Sequence, residues 1–355
     1  MRLSLKSAPL ILMTVIFTSV LFGVAMLFSL SPYVFPVYGL IILFSIIAFF
    51  ILQRFDFDFF VYTASFLYFT SIILLVIPIL TGQITRGTIR WIEIGGSQIQ
   101  PAEAVRVFLI LFMAVWSSKV ANPLLKLFGG VALTALPFVL ILIQPSLGVA
   151  TITAISMLSI LFVSGVNPKH LLPLVLVAIF SAVVMLFSLA PYQRQRIESL
   201  FVGSSDPRGA GYQAIQSVIA VGSGQITGRG LGKGVQTQLN FLPERHTDFI
   251  FASISEELGL IGASWVILLV FFLPFILIHL SRLEGPLSAK LFLLGSGVSF
   301  AAQSFVHIGM NLKLLPITGL PLPLISYGGS SFLGSMLILG IALQAVRKLG
   351  KIQLI

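Results

Sequence analysis

The chain has 355 residues, of which 57% are apolar and only 9% charged, with no cysteine and a formal net charge of +10. Soluble globular proteins carry about a quarter charged residues, so a water-soluble fold is excluded, as are disulfide frameworks, thiolate nucleophiles and cysteine zinc sites. The basic residues are scattered at the ends of apolar runs and within one polar stretch, a pattern that points to anionic lipid headgroups and not to nucleic acid.

In chain order, apolar runs predict an all-α polytopic membrane protein with about ten transmembrane helices. They lie near residues 9–30, 34–52, 59–80, 102–117, 124–143, 147–165, 170–190, 258–280, 286–310 and 329–346. About 20 helical residues cross a hydrocarbon core, and lipid leaves the backbone no alternative to helix. Arg2 and Lys6 precede the first run as in a signal peptide, but the run is too long and lacks a small-residue cleavage site, so a retained first span is expected. One membrane domain over residues 1–355 is expected, with a large polar extracellular loop, residues 191–257, between spans seven and eight.

An even number of spans places both termini on one side. Short connections on that side carry Arg2, Lys6, Arg54, Lys119, Lys126, Lys169, Arg282, Lys290, Arg347, Lys348 and Lys351, against Arg86, Arg90, Arg106 and Lys313 on the other. The positive-inside bias therefore predicts cytoplasmic termini and an outward-facing loop.

Ionisable groups near a bilayer are costly unless paired or solvated, which makes the polar clusters the candidate functional residues. Arg86 and Arg90, four residues apart beside Trp91, suit an interfacial aromatic anchor or a grip on a pyrophosphate or sugar ring. Gln100 to Glu103 with Arg106 follow, and the long loop adds Arg194, Arg196 and Arg208. Six glycines then fall in the thirteen residues from Gly222 to Gly234. Such a stretch forms turns: its amides, beside Arg229 and Lys233, either cradle phosphate oxygens or belong to a flexible surface loop. It is not a Walker loop, because Gly234 stands where Ser or Thr is required.

The run Pro243-Glu244-Arg245-His246-Thr247-Asp248 precedes an apolar segment, so a helix is expected to begin there with Thr247 as its cap. Asp248 then either complements the helix dipole or pairs with Glu256, eight residues on, about 80° round and roughly 12 Å along the helix. Such a carboxylate pair is suited to a divalent cation, Mg or Mn, or to base chemistry. His246 is equally suited to loop hydrogen bonding and to catalysis, while His307, inside the ninth span, is expected to pack. The stretch Pro323 to Ser331, with Ser326 and Ser330, completes the set.

In this order and spacing the clusters resemble the SEDS family of bacterial shape, elongation, division and sporulation proteins. The resemblance runs from the Arg86-to-Glu103 segment to Ser331 and is strongest in LPERHTDFIF (Leu242 to Phe251), EELG (Glu256 to Gly259) and LPLISYGGSS (Leu322 to Ser331). The wording of the first of these and the short tails look most like the elongation branch. The resemblance implies a ten-helix fold and a peptidoglycan glycosyltransferase that polymerises lipid II on the outer face of the bacterial cytoplasmic membrane. It implies a class B penicillin-binding protein as partner, beside other elongation-complex membrane proteins, and no organic cofactor. Asp248 falls on the family's essential aspartate.

Glycosyl transfer needs a proton acceptor, expected to be Asp248 directly or through a bound cation, and cations to stabilise a departing diphosphate. Arg86, Arg90, Arg194, Arg196, Arg208, Arg229, Lys233 and Arg245 are the candidates, with Trp91, Glu103, Glu244, His246, Ser326 and Ser330 as further substrate contacts. The chain departs from the family pattern at Ser146, where aspartate is common, and at His307 and Lys313, where Asn and Gly are more usual. A flippase or transporter of lipid-linked precursor is the alternative. It fits less well, because the ionisable residues gather at one face and no inverted repeat is evident.

Overall fold

The computed structural model describes residues 7–82, 89–94, 97–165 and 210–352. The expected span at 170–190 and four candidate arginines, Arg86, Arg194, Arg196 and Arg208, lie outside the described residues. The chain is polytopic and helical: among the described residues, eight helices are long and apolar enough to cross a membrane. They include α1 (Ala8–Leu30), α2 (Phe35–Leu52), α3 (Phe57–Thr81), α4 (Pro101–Lys119) and α5 (Pro123–Ile143). After α6 (Leu147–Val163), apolar but shorter, come α7 (Ala210–Ser223) and α8 (Val235–Gln238). The remaining spans are α9 (Ile250–Leu280), α10 (Leu287–Asn311) and α11 (Gly329–Ile352). A hairpin of β1 (Ile92–Ile94) and β2 (Ser97–Ile99) leads into α4, with Ile92 paired to Ile99.

Helix α4 is central and packs against α3, α5, α6, α10 and α11, whereas α2, α3 and α5 turn large apolar side chains such as Leu43, Phe66 and Phe128 outward. In lipid the hydrophobic effect does not drive helices together, so close backbone approach and interhelical hydrogen bonds must. Gly334 of α11 lies against the Glu103 carbonyl oxygen, where a Cβ would overlap it. The Tyr68 hydroxyl donates to the Leu133 carbonyl at 2.8 Å, and Gln144 Nε2 donates to the Leu75 carbonyl at 2.6 Å.

Helix α9 begins at Ile250, eight residues before the expected start of its span, so the end of the predicted loop is helical. Thr247 does not cap it: the N-cap position is Phe249, and Thr247 Oγ1 donates to Glu244 instead. The helix is interrupted at Gly259 (φ 65°, ψ −161°). Without the break, the amides of Leu260 and Ile261 would bond to the carbonyls of Glu256 and Glu257, four residues back. Instead Leu260 donates to the Gln225 carbonyl at 2.8 Å and Ile261 to that of Ile226 at 3.3 Å. The orphaned carbonyls of Glu256 and Glu257 accept from the amides of Arg229 (3.0 Å) and Gly230 (2.9 Å). The glycine-rich turn thus replaces two missing rungs of a transmembrane helix, as the scarcity of other partners at this depth requires. A Cβ at Gly224 would overlap the Ser255 carbonyl, and one at Gly228 (φ +80°) that of Glu257, so only glycine fits this joint.

Candidate active site

Asp248 sits half-buried at the entrance to α9, and its position is set by backbone anchors on both sides. Asn311, the last residue of α10, donates through Nδ2 to the Asp248 carbonyl at 3.0 Å and accepts at Oδ1 from the Ala252 amide at 3.0 Å. On the other side, Ser326 Oγ donates to the Thr247 carbonyl at 2.8 Å, and the Tyr327 amide donates to the His246 carbonyl at 2.9 Å. The LPERHTDF and LISYGGSS segments, 80 residues apart in sequence, are therefore hydrogen-bonded together. The Asp248 carboxylate faces Gly319 of the intervening loop, where a Cβ would lie 3.5 Å from Oδ2.

Opposite it, at the first turn of α4, Glu103 is 4% exposed. The charged groups that act on it are Arg106, Arg90 and Asp248. Arg106, buried one turn further along α4, donates from Nη1 to Gln303 Oε1 at 2.7 Å, and Gln303 Nε2 donates to the Pro321 carbonyl at 2.8 Å and to Ser331 Oγ at 3.2 Å. The Arg90 guanidinium lies over the Trp91 ring, 5.4 Å from its centroid. Buried Glu103 thus lies within electrostatic reach of two guanidiniums and of half-open Asp248.

The other candidates separate by what their side chains touch. Ser330 Oγ accepts from the Gln100 amide at 2.7 Å, and Gln100 Nε2 donates to Ser146 Oγ at 3.0 Å, which gives the departure at Ser146 a structural use beside α6. Arg245 is buried and its Nη1 donates to the Thr237 carbonyl and to Asn240 Oδ1, stapling the loop. Glu244 is exposed and accepts from Thr247 Oγ1, while the His246 ring packs edge-on to Tyr327 at 5.3 Å. Arg229 and Lys233 are exposed on the glycine-rich turn, and the amides of Arg229 and Gly230 are bonded to α9, so those two amides are not available to phosphate oxygens.

Glu256 does not pair with Asp248. Its two oxygens accept from the amides of Gln236 (2.9 Å) and Thr237 (3.0 Å) at the start of α8. Glu257 accepts from Ser29 Oγ at 2.6 Å and Gln238 Nε2 at 3.0 Å, tying α1 to the same loop. His307 packs as expected, fully buried with Nδ1 bonded to the Leu320 carbonyl at 2.7 Å. Gln303 and Asn311 belong to the site and were not among the sequence candidates. Their signal is a polar series at four-residue spacing, Gln303, His307 and Asn311, in an otherwise apolar span.

A family model for cell cycle proteins of the FtsW, RodA and SpoVE type matches residues 4–350. The peptidoglycan glycosyltransferase MrdB of Escherichia coli K12 is 40% identical over 286 residues, covering 79% of this chain and 77% of that protein. The probable peptidoglycan glycosyltransferase FtsW of Buchnera aphidicola from Schizaphis graminum is 36% identical over 83% of this chain and 85% of its own length. Among solved structures, a chain of a peptidoglycan synthase complex that coordinates polymerization and crosslinking superposes with a TM-score of 0.81 at 30% identity, covering 95% of this chain and 97% of that one. The rod shape determining protein RodA of Thermus thermophilus superposes with a TM-score of 0.72 at 26% identity, covering 95% of each chain. The helical bundle, the joined LPERHTDF and LISYGGSS segments and the match along nearly the whole chain have one reading: this chain belongs to the FtsW/RodA/SpoVE family.

Proposed function

We propose that the chain is a peptidoglycan glycosyltransferase of the elongation type, polymerising lipid II into glycan strands at the outer face of the bacterial cytoplasmic membrane, with both termini in the cytoplasm. The observation that carries the reading is half-open Asp248, fixed at the entrance to α9 by its backbone bond to Asn311 and within electrostatic reach of buried Glu103. A sugar hydroxyl of the acceptor attacks the anomeric carbon of the donor. Its proton passes to the Asp248 carboxylate as the new C–O bond forms, while the bond to the lipid diphosphate breaks with its electron pair on the departing oxygen. A positioned general base contributes about 10²–10⁴-fold. One displacement inverts the anomeric carbon, and no covalent carboxylate intermediate is needed.

The other groups divide the work by burial. Glu103 and Arg106 compensate each other's charge and Arg106 holds Gln303, so they shape the site's rear wall. Arg90 is the described guanidinium that pairs with diphosphate, with Trp91 beneath it as a surface for a sugar ring. Among the described residues no three His, Asp or Glu cluster as a metal cage, but half-open Asp248 fits the single carboxylate by which an Mg²⁺ ion can complete a substrate phosphate shell. A divalent cation bound there would neutralise charge developing on the diphosphate. A class B penicillin-binding protein, crosslinking the strands, is the partner that the likeness to the polymerizing and crosslinking complex supports, together with other membrane proteins of cell elongation.

The test is polymerisation of labelled lipid II by the purified protein in proteoliposomes with Mg²⁺, with and without the class B partner. Glycan ladders from the wild type and none from Asp248→Ala are expected. Equal ladders from both would remove Asp248 from the reaction, and labelled lipid crossing the bilayer without polymer would favour a flippase.

A further inference from the structure

The polar loop does not stand clear in water. Helix α9 has 31 residues, about 46 Å at 1.5 Å per residue, which is longer than a hydrocarbon core of about 30 Å. From Leu260 to Leu280 the rise is about 30 Å, so the break at Gly259 falls at the hydrocarbon boundary on the Asp248 side. The turn bonded into that break is fixed at the same depth, because Gln225 and Ile226 accept from Leu260 and Ile261.

At this level the loop presents an apolar surface. Ile226 is 66% exposed, Leu231 59% and Leu239 62%, with Val235 and Phe241 also open. The surface continues into the exposed Leu260 and Ile261 of α9 itself. A cluster of large open apolar side chains marks an interaction face. Interleaved with it, Arg229 and Lys233 are exposed, and no Asp or Glu occurs between Ala210 and Pro243. Arg229 Nε donates to Ser223 Oγ at 3.2 Å, which steadies its guanidinium.

We propose that residues 225–241 form a lip embedded in the leaflet on the Asp248 side, with the apolar side chains among the acyl chains and Arg229 and Lys233 bound to the phosphates of anionic lipid headgroups. Two features select the bilayer as occupant. The surface is continuous with the lipid-facing side of α9, and its exposed Arg229 and Lys233 sit where headgroup phosphates lie. This assignment stands whether or not the chain transfers sugars.

Because the chain has no cysteine, single probes are readily placed. Full-length Leu231→Cys and Leu239→Cys, with Glu284→Cys as a water-exposed control in the connection at the opposite face, are each labelled with a small fluorophore and reconstituted in phosphatidylethanolamine and phosphatidylglycerol vesicles. At 231 and 239, loss of quenching by aqueous iodide and quenching by acyl-chain nitroxides are expected, with the reverse at 284. Iodide quenching at 231 and 239 equal to that at 284 would overturn the embedding. Headgroup-nitroxide phosphatidylglycerol should quench the 231 probe more than the matching phosphatidylcholine, and Arg229→Gln with Lys233→Gln should abolish the difference. Equal quenching by both lipids without those substitutions would overturn the phosphate contacts. The two probe sites are independent, and gel filtration of each variant separates misfolding from a genuine change of environment.

Discussion

Asn311 Nδ2 donates to the backbone carbonyl of Asp248 at 3.0 Å, so the end of one transmembrane helix holds the residue that leads into another. The same amide donates to the His307 carbonyl at 2.8 Å, and Oδ1 accepts from the Ala252 amide at 3.0 Å. One buried side chain thus fixes the backbone on both sides of Phe249.

Asn311→Leu keeps the volume and removes all three bonds. It strands the Ala252 amide, and an unsatisfied buried group costs about 1–3 kcal/mol. Displacement of Asp248 by an ångström or so is expected to slow polymerisation by about 10²-fold, the usual penalty for misplacing a catalytic group. Glycan-strand yield at fixed lipid II, read beside the unfolding midpoint, checks both parts. Wild-type polymerisation by a destabilised variant would show that Asn311 serves the fold alone.

Glu103 and Arg106 test charge compensation. Arg106 is the charged group that acts most on buried Glu103, so removing either leaves the other less compensated in a low dielectric. Arg106→Met should therefore unfold more readily than wild type, and it also strips Gln303 Oε1 of its donor. Glu103→Gln with Arg106→Met removes both charges and should recover part of that loss. Thermal melts of the two single variants and the double variant give the coupling energy, and strict additivity would mean that the two side chains do not compensate each other.

The described spans were legible in the sequence because hydrocarbon imposes helix on an apolar run, and the segments holding Asp248 and Ser326 because their polar residues gather where polarity is costly. The joint between the glycine-rich turn and α9 was not. Helical spacing placed Glu256 near Asp248, but that geometry assumes an unbroken helix and a free carboxylate, and Glu256 is taken by the amides of Gln236 and Thr237. Which carbonyls a glycine turn serves is decided by contacts some 30 residues away in the chain, and no local pattern encodes them. Likewise Thr247 has the right type for a cap, yet Glu244 claims its hydroxyl.

Two glycines with similar backbone angles separate strain from close approach. Gly228 has φ +80° with the Glu257 carbonyl in the way of a Cβ, whereas Gly232 has φ +69° with open space around it. Gly232→Ala should cost only left-handed strain, about 1–2 kcal/mol. Gly228→Ala adds a backbone overlap and should expel the turn, stranding the Glu256 and Glu257 carbonyls. Hydrogen exchange at the Leu260 and Ile261 amides reads this directly: protection lost in Gly228→Ala and kept in Gly232→Ala is expected, and equal protection in both would argue against the joint.

Asp248 and Glu256, alike in the sequence, should respond oppositely to loss of charge. Asp248→Asn is nearly isosteric and leaves the Asp248 carbonyl bonded to Asn311 and the Thr247 carbonyl bonded to Ser326, so the protein should melt as wild type does while polymerisation falls by about 10²–10⁴-fold. In Glu256→Gln one of the two oxygens facing the amides of Gln236 and Thr237 becomes an NH₂, a donor set against a donor, which costs about 1–3 kcal/mol. That variant should melt earlier and still polymerise under conditions where it remains folded. Unfolding midpoint and strand yield, measured on the same preparations, place each carboxylate on one axis or the other. A Glu256→Gln protein that keeps its stability and loses its activity would move Glu256 into the chemistry.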